Sequence, residues 1–142
     1  MAVTVKKITL WRGEVENKPG ALAGVLGPLA GAGVDLQIVM GYHYHGVANK
    51  AAIELFPVSG KKALTAARQA GLEVSSIPAL LVEGDNRPGL GSAIAEAIAA
   101  AGINLGFLVA QVLGTKFSAV MGFEDEEAAR KAVSLVKKAA KG

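Results

Sequence analysis

Apolar and polar positions change their period several times along this chain, and each change predicts a new element. Over residues 3–15 they alternate: Val3 and Val5 with Thr4 and Lys6, then Ile8 and Leu10 with Thr9 and Trp11. Alternation with a period of two predicts a strand, and the slip at Lys6-Lys7 marks a bulge or the true strand start. The spacing then becomes helical, with Leu22, Val25, Leu26 and Leu29 as one stripe ending near Ala32. Pro19 is predicted in the first turn, where its missing N–H costs nothing. Gly33 suits a left-handed cap. Pro28, inside the helix, is expected to remove one backbone bond and to bend or shorten the helix. Residues 34–44 and 48–56 read as strands joined in a hairpin at His45-Gly46. Ser59 then caps a helix over 60–70 that Gly71 ends, and a strand follows over 72–77. The order is β-α-β-β-α-β.

Pro78 breaks the chain and the order restarts: strand 79–83, helix 89–101, strands 103–113 and 117–123 joined at Gly114, and a last helix capped by Asp125. Glu126 and Glu127 at its start and Lys137 and Lys138 near its end suit the helix dipole. This second pass has no final strand. Its sheet edge must be left open, be covered by a strand from the other unit, or be paired with a second chain. The simple outcome is a shared sheet and a homodimer.

The restart is also a repeat. Asn17-Lys18-Pro19-Gly20 returns 69 residues later as Asn86-Arg87-Pro88-Gly89. The helices that follow close on Ala32-Gly33-Val34-Asp35-Leu36 and Ala101-Gly102-Ile103-Asn104-Leu105. One chain of 142 residues thus carries two copies of one unit, 1–77 and 78–142, each too small to be more than marginal alone.

Composition narrows the function. Half the residues are hydrophobic and 19% are charged, as in a globular chain. There are no cysteines, which excludes disulfides, a thiolate nucleophile and Cys-based metal sites. The N-terminus has no apolar core of signal-peptide type, and the apolar runs are interrupted by glycines and charges, so no membrane span is expected. The simplest reading is a soluble, cytoplasmic protein. Residues 1–75 carry eight basic and five acidic groups, and residues 76–142 seven of each. Neither half is basic enough to argue for nucleic acid.

The chemistry concentrates at the repeated corner. A helix start offers free N–H groups and a positive dipole end, where a carboxylate is stabilised. Gly20 and Gly89 permit close backbone approach. Asn17 and Asn86 can bond a ligand or cap the corner, and Asp35 and Asn104 could meet a ligand's ammonium group. The candidate ligand-binding residues are Asn17, Lys18, Gly20, Ala21, Leu22 and Asp35 in the first copy. In the second they are Asn86, Arg87, Gly89, Leu90 and Asn104. The alternative is plain turn and cap chemistry, as Pro-Gly corners usually are.

A strand, Asn-basic-Pro-Gly, an Ala/Leu-rich helix ending Ala-Gly-Val/Ile-Asp/Asn-Leu, then hairpin, helix and strand resembles the ACT domain. The resemblance covers essentially the whole chain as a tandem pair. It implies an α+β fold of two ferredoxin-like βαββαβ units with antiparallel sheets and helices on one face. It also implies a non-catalytic regulatory protein that binds an amino acid or related metabolite where ACT units meet, without a cofactor. A regulatory subunit acting on a partner enzyme is the nearest alternative.

Other readings are weaker. His43 and His45 share one strand face and could hold a metal with further ligands, but no carboxylate at ligand spacing is evident. Gly89-Leu90-Gly91 begins like a dinucleotide fingerprint, yet Ile94 stands where the third glycine belongs. The β-α-β-β-α-β order is shared with RNA-recognition modules, but the stacking aromatics are missing. No Ser-His-Asp order or acid pair argues for catalysis.

Overall fold

A computed structural model describes residues 3–44, 47 and 49–142. Its elements in chain order are β1 (Val3–Ile8), β2 (Trp11–Glu16), α1 (Ala21–Gly31), β3 (Ile38–His43), β4 (Lys50–Phe56) and α2 (Lys61–Gln69). Then come β5 (Glu73–Val74), β6 (Ala79–Asp85), α3 (Leu90–Ala100), β7 (Leu105–Leu113), β8 (Lys116–Phe123) and α4 (Glu126–Lys141). The predicted hairpin corner at His45-Gly46 lies outside the described residues.

The stretch 3–15 is two strands, not one. The chain leaves β1 after Ile8 and begins β2 at Trp11, in a different sheet. One sheet has the order β3-β4-β2-β5 and the other β1-β6-β8-β7, and all their pairings are antiparallel. The edge beside β6 that the second copy leaves open is filled by β1, with Val3 opposite Gly84 and Ile8 opposite Ala79. The open edge is thus covered from within the chain. The compact units are Thr9–Ser76, and Ile77–Gly142 together with β1. The sequence boundary at 77/78 assigns that first strand to the other unit.

Each unit buries its own core on one sheet face. In the first copy Ile53 and Leu55 of β4 and Trp11 of β2 meet Val25 and Leu29 of α1 and Ala67 of α2. In the second, Leu80 and Val82 of β6 and Met121 and Phe123 of β8 meet Ile94 and Ile98 of α3 and Ala132 and Val136 of α4. Each large aliphatic side chain buried this way contributes about 2 kcal/mol relative to exposure.

The helix ends follow local chemistry. Behind α1, Gly33 N donates to Ala30 O and Val34 N to Leu29 O; behind α3, Gly102 N donates to Ala99 O and Ile103 N to Ile98 O. Both are Schellman closures, with φ of 75° at Gly33 and 73° at Gly102. Asp125 Oδ1 accepts from Ala128 N at 2.8 Å, the predicted cap of α4. Pro28 lies inside α1 without shortening it, since α1 and α3 both run 11 residues. Ser59 does not cap α2: Gly60 is the cap residue, and no side chain bonds there. Pro19 precedes α1 instead of entering its first turn.

Candidate functional site

The two Asn-basic-Pro-Gly corners fold alike, and the reason is local. Ala21 N donates to Lys18 O, and Leu90 N to Arg87 O, both at 3.2 Å. Gly20 has φ 88° and ψ −8°, and Gly89 φ 82° and ψ 0°. These are type II turns, with Pro at the second position and Gly at the third because only there is φ positive. The space around both glycines is open, so they are required by backbone conformation and not by packing. The corner is tied to the neighbouring hairpin in both copies: Asn17 N donates to Asn49 O at 2.9 Å, and Asn86 N to Thr115 O at 2.8 Å.

At the first corner the chain encloses a hollow of about 300 Å³. One wall is Val15, Glu16, Asn17 and Lys18, with Ala21 and Leu22 of α1. The other wall is the end of β3, Gly41 to His43, and the start of β4, Ala51 to Ile53. Glu16 Oε2 and Lys18 Nζ are 3.5 Å apart, both largely exposed. Leu22 keeps 43% of its surface exposed, although it belongs to the predicted apolar stripe.

Four predicted residues, Asn17, Lys18, Ala21 and Leu22, are therefore brought together; Gly20 shapes the turn without lining the hollow. Asp35 is not brought to the corner. It lines a separate hollow of about 550 Å³ with Gly33, Ser59, Lys61 and Lys62. The cause is length: Asp35 follows the far end of α1, and 11 residues of helix span roughly 16 Å. The chain returns along β3, which covers that distance in about five residues at ~3.3 Å each. Counting back in this way from Ile38 arrives at Tyr42 and His43, which the corner motif alone does not suggest.

The second corner has different partners. Arg87 Nη2 donates to the carbonyl of Ala139, 3.0 Å away in the last turn of α4. Asp85 pairs with Lys116. Leu90 is buried in the core. Asn104, at the far end of α3, points its Nδ2 to Glu124 Oε1 at 3.5 Å.

A polar cluster that the sequence did not suggest lies on β2, β3 and β4 and on Tyr44 just beyond β3. Glu54 is fully buried, opposite Arg12 on one side and Met40 on the other. Tyr42 Oη donates to Glu54 Oε2 at 3.0 Å, and Arg12 Nη2 donates to Tyr44 Oη. The Arg12 guanidinium also lies 5.9 Å from the Tyr44 ring centre. Burial raises the Tyr42 pKa, and the charge of Glu54 raises it further, against the pull of Arg12. Burial lowers the Arg12 pKa, but its hydrogen bond with Tyr42 and the charge of Tyr44 raise it more. Glu54 Oε1 and Arg12 Nε are buried without a hydrogen-bond partner among the described residues. A carboxylate among Ala, Ile, Leu and Phe on a strand gives no local sign of burial.

His43 lines the hollow, while His45 lies outside the described residues. Among the described residues no group of three or more His, Asp or Glu could hold a metal. No helix among them is long and apolar enough to cross a membrane.

No family model matches the chain, and no curated protein matches it in sequence. Solved structures match nearly its whole length. A Bacteroides thetaiotaomicron protein is 15% identical over 99% of both chains, with a TM-score of 0.73. The regulatory subunit of aspartate kinase from Thermus thermophilus, in ligand-free form, is 18% identical over 98% of this chain and 97% of that one, with a TM-score of 0.65. A chain of the aspartokinase alpha and beta subunits is 17% identical over 100% and 99%, with a TM-score of 0.66. At such identities the likeness is one of fold: α+β, with two ferredoxin-like units, each a four-stranded antiparallel sheet covered by helices.

Proposed function

We propose that this chain is a non-catalytic, cytoplasmic regulatory protein of tandem ACT type, which binds an amino acid or related metabolite at its strand–helix corner. The observation that carries the reading is the hollow formed by Asn17, Lys18, Ala21 and Leu22 with the end of β3. An acid and a base, Glu16 and Lys18, stand at the same corner, matching the two charges of an amino acid. Similarity to regulatory subunits of aspartate kinase supports a regulatory role. No cofactor is needed for it.

Regulation requires an output. β7 is the edge of its sheet, carries no charged residue, and exposes Leu108, Val109, Val112 and Leu113. An uncharged apolar edge of this kind favours strand pairing with another chain. A homodimer is the first expectation. A partner enzyme is the second, in line with the fold likeness to a structure of aspartokinase alpha and beta subunits. Ligand and assembly would then be coupled reciprocally.

The test is a thermal-shift screen of the purified chain against the twenty amino acids, common metabolites and divalent metals. A ligand that binds only the folded state adds about 2.7 kcal/mol at a hundredfold excess over Kd. A shift with amino acids that is lost in Lys18→Met supports the reading. A shift with metals alone, or with nothing, overturns it.

A further inference from the structure

We infer that only the first of the two corners takes a ligand, and that it selects α-amino acids with an uncharged, apolar side chain. This rests on the amino-acid reading above and adds the site and the selectivity.

The two copies supply the comparison. Ala21 corresponds to Leu90 at the repeat offset. Glu16 faces Lys50 across β2 and β4, as Asp85 faces Lys116 across β6 and β8, so the next residues, Ala51 and Phe117, are also equivalent. In the first copy, Ala21 and Ala51 line the hollow of about 300 Å³. In the second, Leu90 and Phe117 are 2% and 7% exposed and belong to the core. Two small side chains leave a space that two large ones fill. Close packing leaves no room for a ligand beside them.

The charges differ in the same sense. Arg87 is held by the Ala139 carbonyl, and Asp85, about half as exposed as Glu16, pairs with Lys116. Among the described residues Glu16 and Lys18 form an ion pair with each other alone, at 3.5 Å, with both side chains more than half exposed. Such an exposed pair contributes little and is easily exchanged. A zwitterion replaces it without net change in charge, its carboxylate taking Lys18 and its ammonium Glu16.

The rest of the lining sets the side chain. Val15, Leu22, Ile53 and the alanines present apolar surface, and Leu22 remains partly uncovered. Among the described residues of the lining Glu16 is the only carboxylate, so a second cationic group on the ligand meets no second anionic partner there. Burying such a group is costly, whereas covering Leu22 is favourable.

Calorimetric titration of the full chain with leucine, valine, isoleucine, lysine, threonine and aspartate tests this. The expected result is one ligand per chain for the aliphatic amino acids, with lysine at least 10-fold weaker. The double variant Ala21→Leu/Ala51→Phe, which imports the second copy's side chains, loses binding at least 10-fold. Glu16→Gln and Lys18→Met, exposed and harmless to folding, each weaken it as well. Two ligands per chain, equal or tighter binding of lysine, or full affinity in a folded double variant would overturn the inference and leave the amino-acid reading standing. No heat with any amino acid sinks both.

Discussion

The Tyr42 hydroxyl donates to a carboxylate that is fully buried, Glu54 Oε2, at 3.0 Å. Removing that donor leaves the acceptor dry and poorly satisfied. Tyr42→Phe is therefore expected to destabilise the first copy by about 1–3 kcal/mol, the usual cost of orphaning a buried polar group. Urea titration of the variant against wild type measures it.

The same contact predicts an alkaline response. Burial and Glu54 hold the Tyr42 pKa above 10.0, so the native state keeps a proton that the unfolded chain releases. That stability is fully present below pH 10.0 and is lost as pH rises through the higher native value. The melting temperature of wild type should fall more steeply past that pH than that of Tyr42→Phe. The chain has only two tyrosines, so tyrosinate absorbance in Tyr44→Phe follows Tyr42 directly and should rise above pH 10.0.

Glycines in α1 and at its entry should respond with opposite signs. Gly20→Ala places a Cβ at φ 88° and should cost about 1–2 kcal/mol. Gly24 lies in the exposed face of the helix with open space around it, so Gly24→Ala should gain about 0.5–1 kcal/mol. A gain at both positions would refute the type II turn as the reason for Pro-Gly.

Arg87 clasps the last turn of α4 through the Ala139 carbonyl. Arg87→Met should cost about 1–2 kcal/mol by freeing a carbonyl of the last turn. Hydrogen exchange should quicken at the end of α4 while the protection of β2 and β4 stays unchanged.

The edge strand offers a test of assembly. Leu108→Lys with Val112→Lys puts two charges on β7, both at half-exposed positions. Sedimentation should then report a monomer, against the dimer proposed for the wild type. A wild type that is monomeric at every concentration would refute self-pairing.

What residues decide over five or six positions was legible in the sequence. The Pro-Gly corners, the left-handed glycines behind α1 and α3 and the Asp125 cap all satisfy backbone groups nearby. The repeat exposed the two-unit fold, since equal local chemistry builds equal elements. Tertiary structure decided what depends on distant partners. β1 pairs with β6 some seventy-five residues onward, and nothing within β1 names that neighbour. The return of β3 carries Tyr42 and His43, not Asp35, to the corner. Whether a corner is hollow or filled turns on the size of side chains from a separate strand, Ala51 in one copy and Phe117 in the other. Hydrogen bonds of turns and caps close over short contour length, whereas cavities and buried charges arise only where remote segments meet.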